Sequence, residues 1–182
     1  CNSPSRTAAT PRTLYGAAKR AVGLVAERWA ETTGLSLAWA RIFFVYGPHE
    51  PDGRLVPTIV RALLREQRAA CTTGVQRRDF LYVRDVAEAL TALLRSDLEG
   101  VVNVGSGRDV AVRDLAHAVA QRLGRPDLLG LGDRPGSDDE APLVVADVRR
   151  LNGEVGWRPR YTLESGLDET IAWWRTQVFE AK

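Results

Sequence analysis

Apolar residues along the chain fall into runs whose period alternates between helical and near-continuous, with glycine and proline between them. From Thr13 to about Thr33 they recur at Leu14, Ala18, Ala21, Val25 and Trp29, one face of a helix that Gly34 would close. The next run, "LSLAWARIFFVYG", is almost unbroken and ends in Gly-Pro, which predicts a strand buried on both faces. Such strands belong to parallel sheets covered by helices. Past the loop "PHEPDGR", Leu55 to about Gln67 have amphipathic helical spacing. "AACTTG" and "RDFLYV" read as short strands around a turn at Gly74. Asp85 with Glu88 makes a capping-box-like start to the helix "VAEALTALLRS". "GVVNVGSG" is a strand entering a glycine turn, with a helix near Val112–Leu123 after it that Gly124 ends. Residues 125–142 are loop-rich, a short helix covers about Val148–Val155, and a last one runs from Thr162 to about Val178. Residues 1–12, small, polar and broken by two prolines, are loop.

This order predicts an α/β chain that opens with a helix feeding a buried parallel strand. A central strand needs neighbours on both sides, and few are available. The sheet is expected to lack its first half.

Composition changes this picture little. With 182 residues, 45% hydrophobic and 26% charged, the chain suits one domain or part of a larger protein. A net charge of +2 gives no reason to expect a nucleic-acid or membrane surface. Cys1 and Cys71 form neither a disulfide framework nor a metal spacing, which points to a reducing, cytoplasmic setting and no metal. No apolar run approaches the roughly eighteen residues of a membrane span. The start at Cys1 and the absence of methionine lead us to expect sequence upstream.

The candidate chemistry begins with "TLYGAAKRAV", where Tyr15 and Lys19, four apart, share a helix face. Alone, a Tyr-x-x-x-Lys spacing is weak, because common residue usage produces it often. It gains weight from five stretches downstream, in this order: "RIFFVYGP", "RRDFLYVRDVAEAL", "VVNVGSG", "DRPG" and "VGWRPRYTLESGL". Together these stretches resemble the extended short-chain dehydrogenase/reductase family, and more closely its nucleotide-sugar epimerases, dehydratases and 4-ketoreductases.

That resemblance implies the C-terminal part of a Rossmann-type doubly wound sheet plus a small mixed α/β substrate-binding domain. Residues 1–53 and 79–104 would be the remainder of the dinucleotide-binding domain, and 54–78 with 105–182 the nucleotide-sugar-binding domain. The cofactor would be NAD or NADP, and the intact protein a homodimer. Family members open with a Gly-rich strand-turn-helix for the cofactor pyrophosphate. Gly105-Ser106-Gly107 lacks the third glycine and the later acidic residue, so this chain alone is expected to bind NAD(P) negligibly and to be inactive.

Tyr15 resembles the family's acid/base, exchanging a proton with a sugar hydroxyl or ketone as hydride moves. A free phenol is a poor base at neutral pH, and a nearby ammonium such as Lys19 favours the phenolate. Lys19 also resembles the residue that holds the nicotinamide ribose. The family's serine or threonine partner would lie before Cys1; Ser3, Ser5, Thr7, Thr10 and Thr13 are too close to Tyr15 to match it. Arg78 resembles the arginine that grips the substrate diphosphate, a task its fixed donor fork suits. Arg134 resembles a second phosphate-binding arginine, Arg54 a cation beside the substrate, and Asn103 an asparagine facing the same phosphates. Many relatives carry asparagine where this chain has Phe44. Phenylalanine cannot make that hydrogen bond, which tilts the reading from dehydratase toward 4-ketoreductase or an unusual 4-epimerase. The acidic stretch Ser137–Glu140 reads as a solvated loop, and Trp157, Trp173 and Trp174 as packing of the last helix. The competing reading is a non-catalytic nucleotide-sugar-binding or interaction module on the same fold, which would have no need of Tyr15 and Lys19.

Overall fold

The computed structural model describes residues 13–137 and 140–180. The loop expected over 1–12, and Asp138 and Asp139 of the acidic stretch, lie outside the described residues.

Helix α1 (Leu14–Thr33) is capped by Thr13, whose hydroxyl accepts from the Gly16 amide at 3.1 Å, and ends at Gly34 in the left-handed conformation. Its expected apolar face is not the buried one. Leu14, Val25 and Trp29 are 88%, 68% and 59% exposed, whereas Gly23 and Ala30 are buried. The reason is steric: a Cβ added at Gly23 would lie 3.2 Å from the Trp39 ring, so only small residues allow this approach to the strand. The large apolar residues are turned outward.

The long apolar run becomes β1 (Ala38–Ile42) and β2 (Phe44–Tyr46). β1 pairs in parallel with β6 (Gly100–Val104), and β2 in parallel with β5 (Phe80–Tyr82). At the junction the Phe43 amide donates to the Val104 carbonyl and the Phe44 amide to the Asp79 carbonyl. Consecutive amides on a strand point opposite ways, so the chain passes between its two neighbours here. The strand is not buried on both faces, as its hydrophobicity suggested. Ile42 and Phe44 remain 44% and 38% exposed, and Phe44 of β2 lines a cleft.

Helix α2 (Leu55–Leu64) is shorter than its pattern suggested and leads to β3 (Ala69–Cys71). β4 (Arg77–Arg78) precedes β5, and helix α3 (Val83–Leu94) comes after it. Asp85 does not cap α3, which has Tyr82 at its N-cap and no side-chain cap bond. Asp85 is instead buried, and its carboxylate accepts from the Arg160 and Tyr161 amides at 2.9 and 3.1 Å, tying a distant loop to α3.

β7 (Val110–Ala111) pairs antiparallel with β4 and leads into helix α4 (Val112–Leu123), closed by Gly124 as expected. β8 (Leu129–Leu131) pairs in parallel with β3, and β9 (Leu143–Val144) with β4. Helices α5 (Arg149–Gly153) and α6 (Leu163–Glu180) complete the chain.

Two clusters hold these elements together. One gathers α2, α4 and α6 with Tyr46 and Tyr82. The other packs α3 against β5 and β6, and includes Leu151 and Trp157. No helix among the described residues is long and apolar enough to cross a membrane.

Candidate functional site

A cleft of about 1080 Å³ opens where these layers meet. Its wall includes Tyr15 from the first turn of α1, Phe44 and Tyr46 of β2, and the loop from Gly47 to Arg54. Arg78, Arg134 and Glu140 close the other side. The loop turns sharply at His49, which has φ +64° and sets its ring 4.6 Å from that of Trp173. Arg54 is the N-cap residue of α2, whose first turn carries no acidic residue, so that helix end adds a positive field to the cleft.

Arg78 is the most firmly held cation here. It is 4% exposed, while its strand neighbour Arg77 faces outward and pairs with Asp109. The alternation is that of a strand with period two. Arg78 Nη1 donates to the Arg77 and Ala141 carbonyls, each at 2.8 Å, and Nη2 to Glu140 Oε1 at 2.6 Å. Its guanidinium carbon lies 5.4 Å from the Phe44 ring centre, within cation–π range. Glu140 is therefore not a purely solvated loop residue.

Of the other residues singled out, Tyr15, Arg54 and Arg134 share the cleft with Arg78. Lys19 sits one turn along α1, its Nζ 5.7 Å from the centre of the Tyr15 ring. Asn103 is not brought to the cleft wall. Its amide donates to the Asp147 carbonyl at 3.2 Å, and its strand partner Arg41 is likewise absent from the cleft wall.

Two further residues matter that the sequence pattern did not single out. Glu50 lines the cleft, and its Oε2 is buried with no hydrogen-bond partner. Burial raises its carboxyl to about 7, against an opposing pull from Arg54 and the Gly47 backbone. Read from sequence, it is one more polar residue in a loop. Its folded-state value lies above the unfolded 4.5. The stability linked to the neutral form is complete below about pH 4.5 and is lost as pH rises through about 7. Glu50→Gln, which cannot ionise, should gain stability relative to the parent between about pH 5 and 8. Urea denaturation at both ends of that range checks this, and parallel pH profiles for the two proteins would refute it.

Asp79 is the other. It is fully buried, and its carboxylate accepts from the amides of Ser106, Gly107 and Ala146 and from the Ser106 hydroxyl, at 2.6–3.1 Å. The glycine turn at 105–107 thus directs its amides at an internal carboxylate and offers no cradle for a cofactor pyrophosphate. A Cβ on Gly105 would lie 2.7 Å from Asp79 Oδ2, so this closeness requires glycine. The exposed head of α1 brings the Tyr15 phenol to the cleft wall, with the Lys19 ammonium beside that ring. Among the described residues no group of His, Cys, Asp and Glu could hold a metal ion.

Comparison with known proteins shows the family and the fold. The profile of the NAD dependent epimerase/dehydratase family matches residues 2–105. UDP-glucuronic acid decarboxylase 1 of Xenopus tropicalis is 30% identical over 171 residues, covering 92% of this chain and 40% of that protein. The dTDP-D-glucose 4,6-dehydratase of Mus musculus is 28% identical over 176 residues, covering 91% of this chain and 48% of that one. Among solved structures, the UDP-N-acetylglucosamine 4-epimerase of Methanobrevibacter ruminantium, in complex with UDP-N-acetylmuramic acid, superposes with a TM-score of 0.85. It is 27% identical, and the match covers 97% of this chain and 58% of that one. The fold is thus the Rossmann-type α/β architecture of such enzymes, and the chain spans about half the length of the curated relatives it matches. With more than half of its residues within the family profile, this chain belongs to the NAD dependent epimerase/dehydratase family.

Proposed function

We propose that the protein carrying this chain performs NAD- or NADP-dependent oxidoreduction at a sugar carbon of a nucleotide-diphosphate sugar. The reaction is a 4-ketoreduction or 4-epimerisation, with 4,6-dehydration the remaining member of the set. One observation carries the reading: a candidate acid/base, Tyr15, and three arginines, Arg54, Arg78 and Arg134, line the same cleft. Arg78 and Arg134 would bind the diphosphate, and Arg54 the sugar side near α2. The nicotinamide, when bound, supplies the hydride donor or acceptor. Tyr15 gives a proton to, or takes one from, the substrate oxygen, and Lys19 would hold the cofactor ribose and favour the phenolate. Phe44 presents an apolar ring where a hydrogen-bonding residue would read a hydroxyl, which supports reduction or epimerisation over dehydration. Sequence 1–53 with 79–104 is read as the remainder of the cofactor domain, and 54–78 with 105–182 as the substrate domain. The packing of Leu151 and Trp157 into the α3–β6 cluster moves α5 toward the former.

A homodimer in the cytoplasm completes the reading. The exposed Leu14, Val22, Val25 and Trp29 on α1 supply apolar surface that association could bury, and the one described cysteine, Cys71, is free.

The test is a titration of UDP- and dTDP-sugars against three variants. Arg78→Ala should weaken binding by about 1.5–3 kcal/mol, the scale of a lost hydrogen bond to a charged group. Arg78→Lys keeps the charge but loses the fork, so it should recover only part of that. Arg77→Ala should bind as the parent does, because Arg77 faces Asp109 and not the cleft. Equal losses at Arg77 and Arg78, or none at either, would put the diphosphate elsewhere.

A further inference from the structure

We propose that Glu140 is an internal competitor for the anion site: its carboxylate occupies the Arg78 fork, and an incoming diphosphate binds by displacing it. The inference rests on the reading of Arg78 as a diphosphate-binding arginine and adds a residue that sets affinity there.

Three observations carry it. First, Glu140 Oε1 lies 2.6 Å from Arg78 Nη2, while Nη1 of the same arginine is held by two backbone carbonyls. The Nη2 side of the fork is thus engaged by the one partner in this set that is a side chain. Second, the two side chains differ in freedom. The Arg78 side chain is 5% exposed and that of Glu140 39%, so the glutamate can rotate into water while the arginine keeps its place. Such a rotamer change of an exposed side chain is fast and needs no backbone movement. Third, Glu140 lines both the main cleft and an adjoining cavity of about 190 Å³, and Thr72 and Gln76 also line both. A ligand reaching from one space toward the other passes this carboxylate.

Charge decides the chemistry. A carboxylate and a phosphate oxygen are alternative acceptors for the same N–H group, and two anions on one guanidinium repel each other. A diphosphate must therefore break the Arg78–Glu140 pair before it gains the fork, and its apparent affinity falls by the free energy of that pair. The pair is sheltered on the arginine side, so this opposition exceeds that of an ordinary surface ion pair. Glu140→Gln keeps the shape but removes the charge.

UDP and dTDP would be titrated calorimetrically against the parent, Glu140→Gln, Arg78→Ala and the double variant, with uridine and thymidine as charge-free controls. We expect Glu140→Gln to tighten diphosphate binding about five- to twentyfold, on the scale of a partly buried ion pair. Nucleoside binding should stay unchanged, and the gain should vanish in the Arg78→Ala background. Thermal unfolding of each variant checks that the fold is kept, and Glu140→Ala serves as a second removal of the charge. Unchanged or weaker diphosphate binding in a folded Glu140→Gln protein, with a loss in Arg78→Ala, would overturn the competitor and leave the reading of Arg78 standing. A folded Arg78→Ala protein that binds diphosphates as the parent does would overturn both, as would diphosphate binding to none of the four.

Discussion

Tyr15→Phe is expected to lower turnover of the intact enzyme by about 10²–10⁴-fold, the usual contribution of a general acid–base group. That corresponds to roughly 3–5.5 kcal/mol of barrier. The substitution removes one oxygen and keeps the ring, so the first turn of α1, its Thr13 cap and its place at the cleft wall should survive. Tyr15 is 73% exposed, so no buried partner is left unpaired. Substrate affinity should barely change, because the arginines that would hold the diphosphate lie elsewhere on the wall. Steady-state kinetics with separate kcat and KM checks both halves. A variant retaining more than about a tenth of parental turnover would remove Tyr15 from the chemistry.

Asp79→Ala is expected to destabilise the protein by about 3–5 kcal/mol, as three backbone amides lose a charged acceptor. For a chain of this size that is roughly a 10 °C fall in Tm. The loss stays below the sum of the separate bonds because removing a buried carboxylate also relieves its own desolvation. Gly107 and part of Ser106 can turn to water, whereas Ala146 is 5% exposed and its amide would be left unpaired. Asp79→Asn should fall between, since one amide oxygen replaces two carboxylate oxygens. Urea denaturation measures this directly, and a loss below about 1 kcal/mol for Asp79→Ala would show that the turn at 105–107 supports itself. Asp79 is also the chain neighbour of Arg78, so the variant should loosen the arginine fork and weaken diphosphate binding.

How much of this is legible in the chain depends on the distance over which each feature is decided. Helices α1 and α4 can be read almost to the residue, since Thr13, Gly34 and Gly124 act on neighbouring backbone groups. That Arg77 and Arg78 point to opposite faces follows from a strand's local period, while burial of Arg78 is a tertiary result. The buried face of α1 is not. Two helical stripes are available, and the ring of Trp39 selects the one with Gly23 and Ala30.

The sequence by itself determined the α/β class, the order of the elements and the residue types of the candidate chemistry, since propensity, capping and period act between neighbours. Only the tertiary structure decided that Tyr15 shares a cleft with Arg54, Arg78 and Arg134 while Asn103 turns to Asp147. It alone decided that Asp85 holds residues 160 and 161 instead of capping its own helix. The same holds for Glu50, whose carboxyl is shifted by burial, and for Glu140, whose carboxylate meets an arginine 62 positions away. Burial and long-range pairing depend on which surfaces meet, and no local pattern in the chain records that.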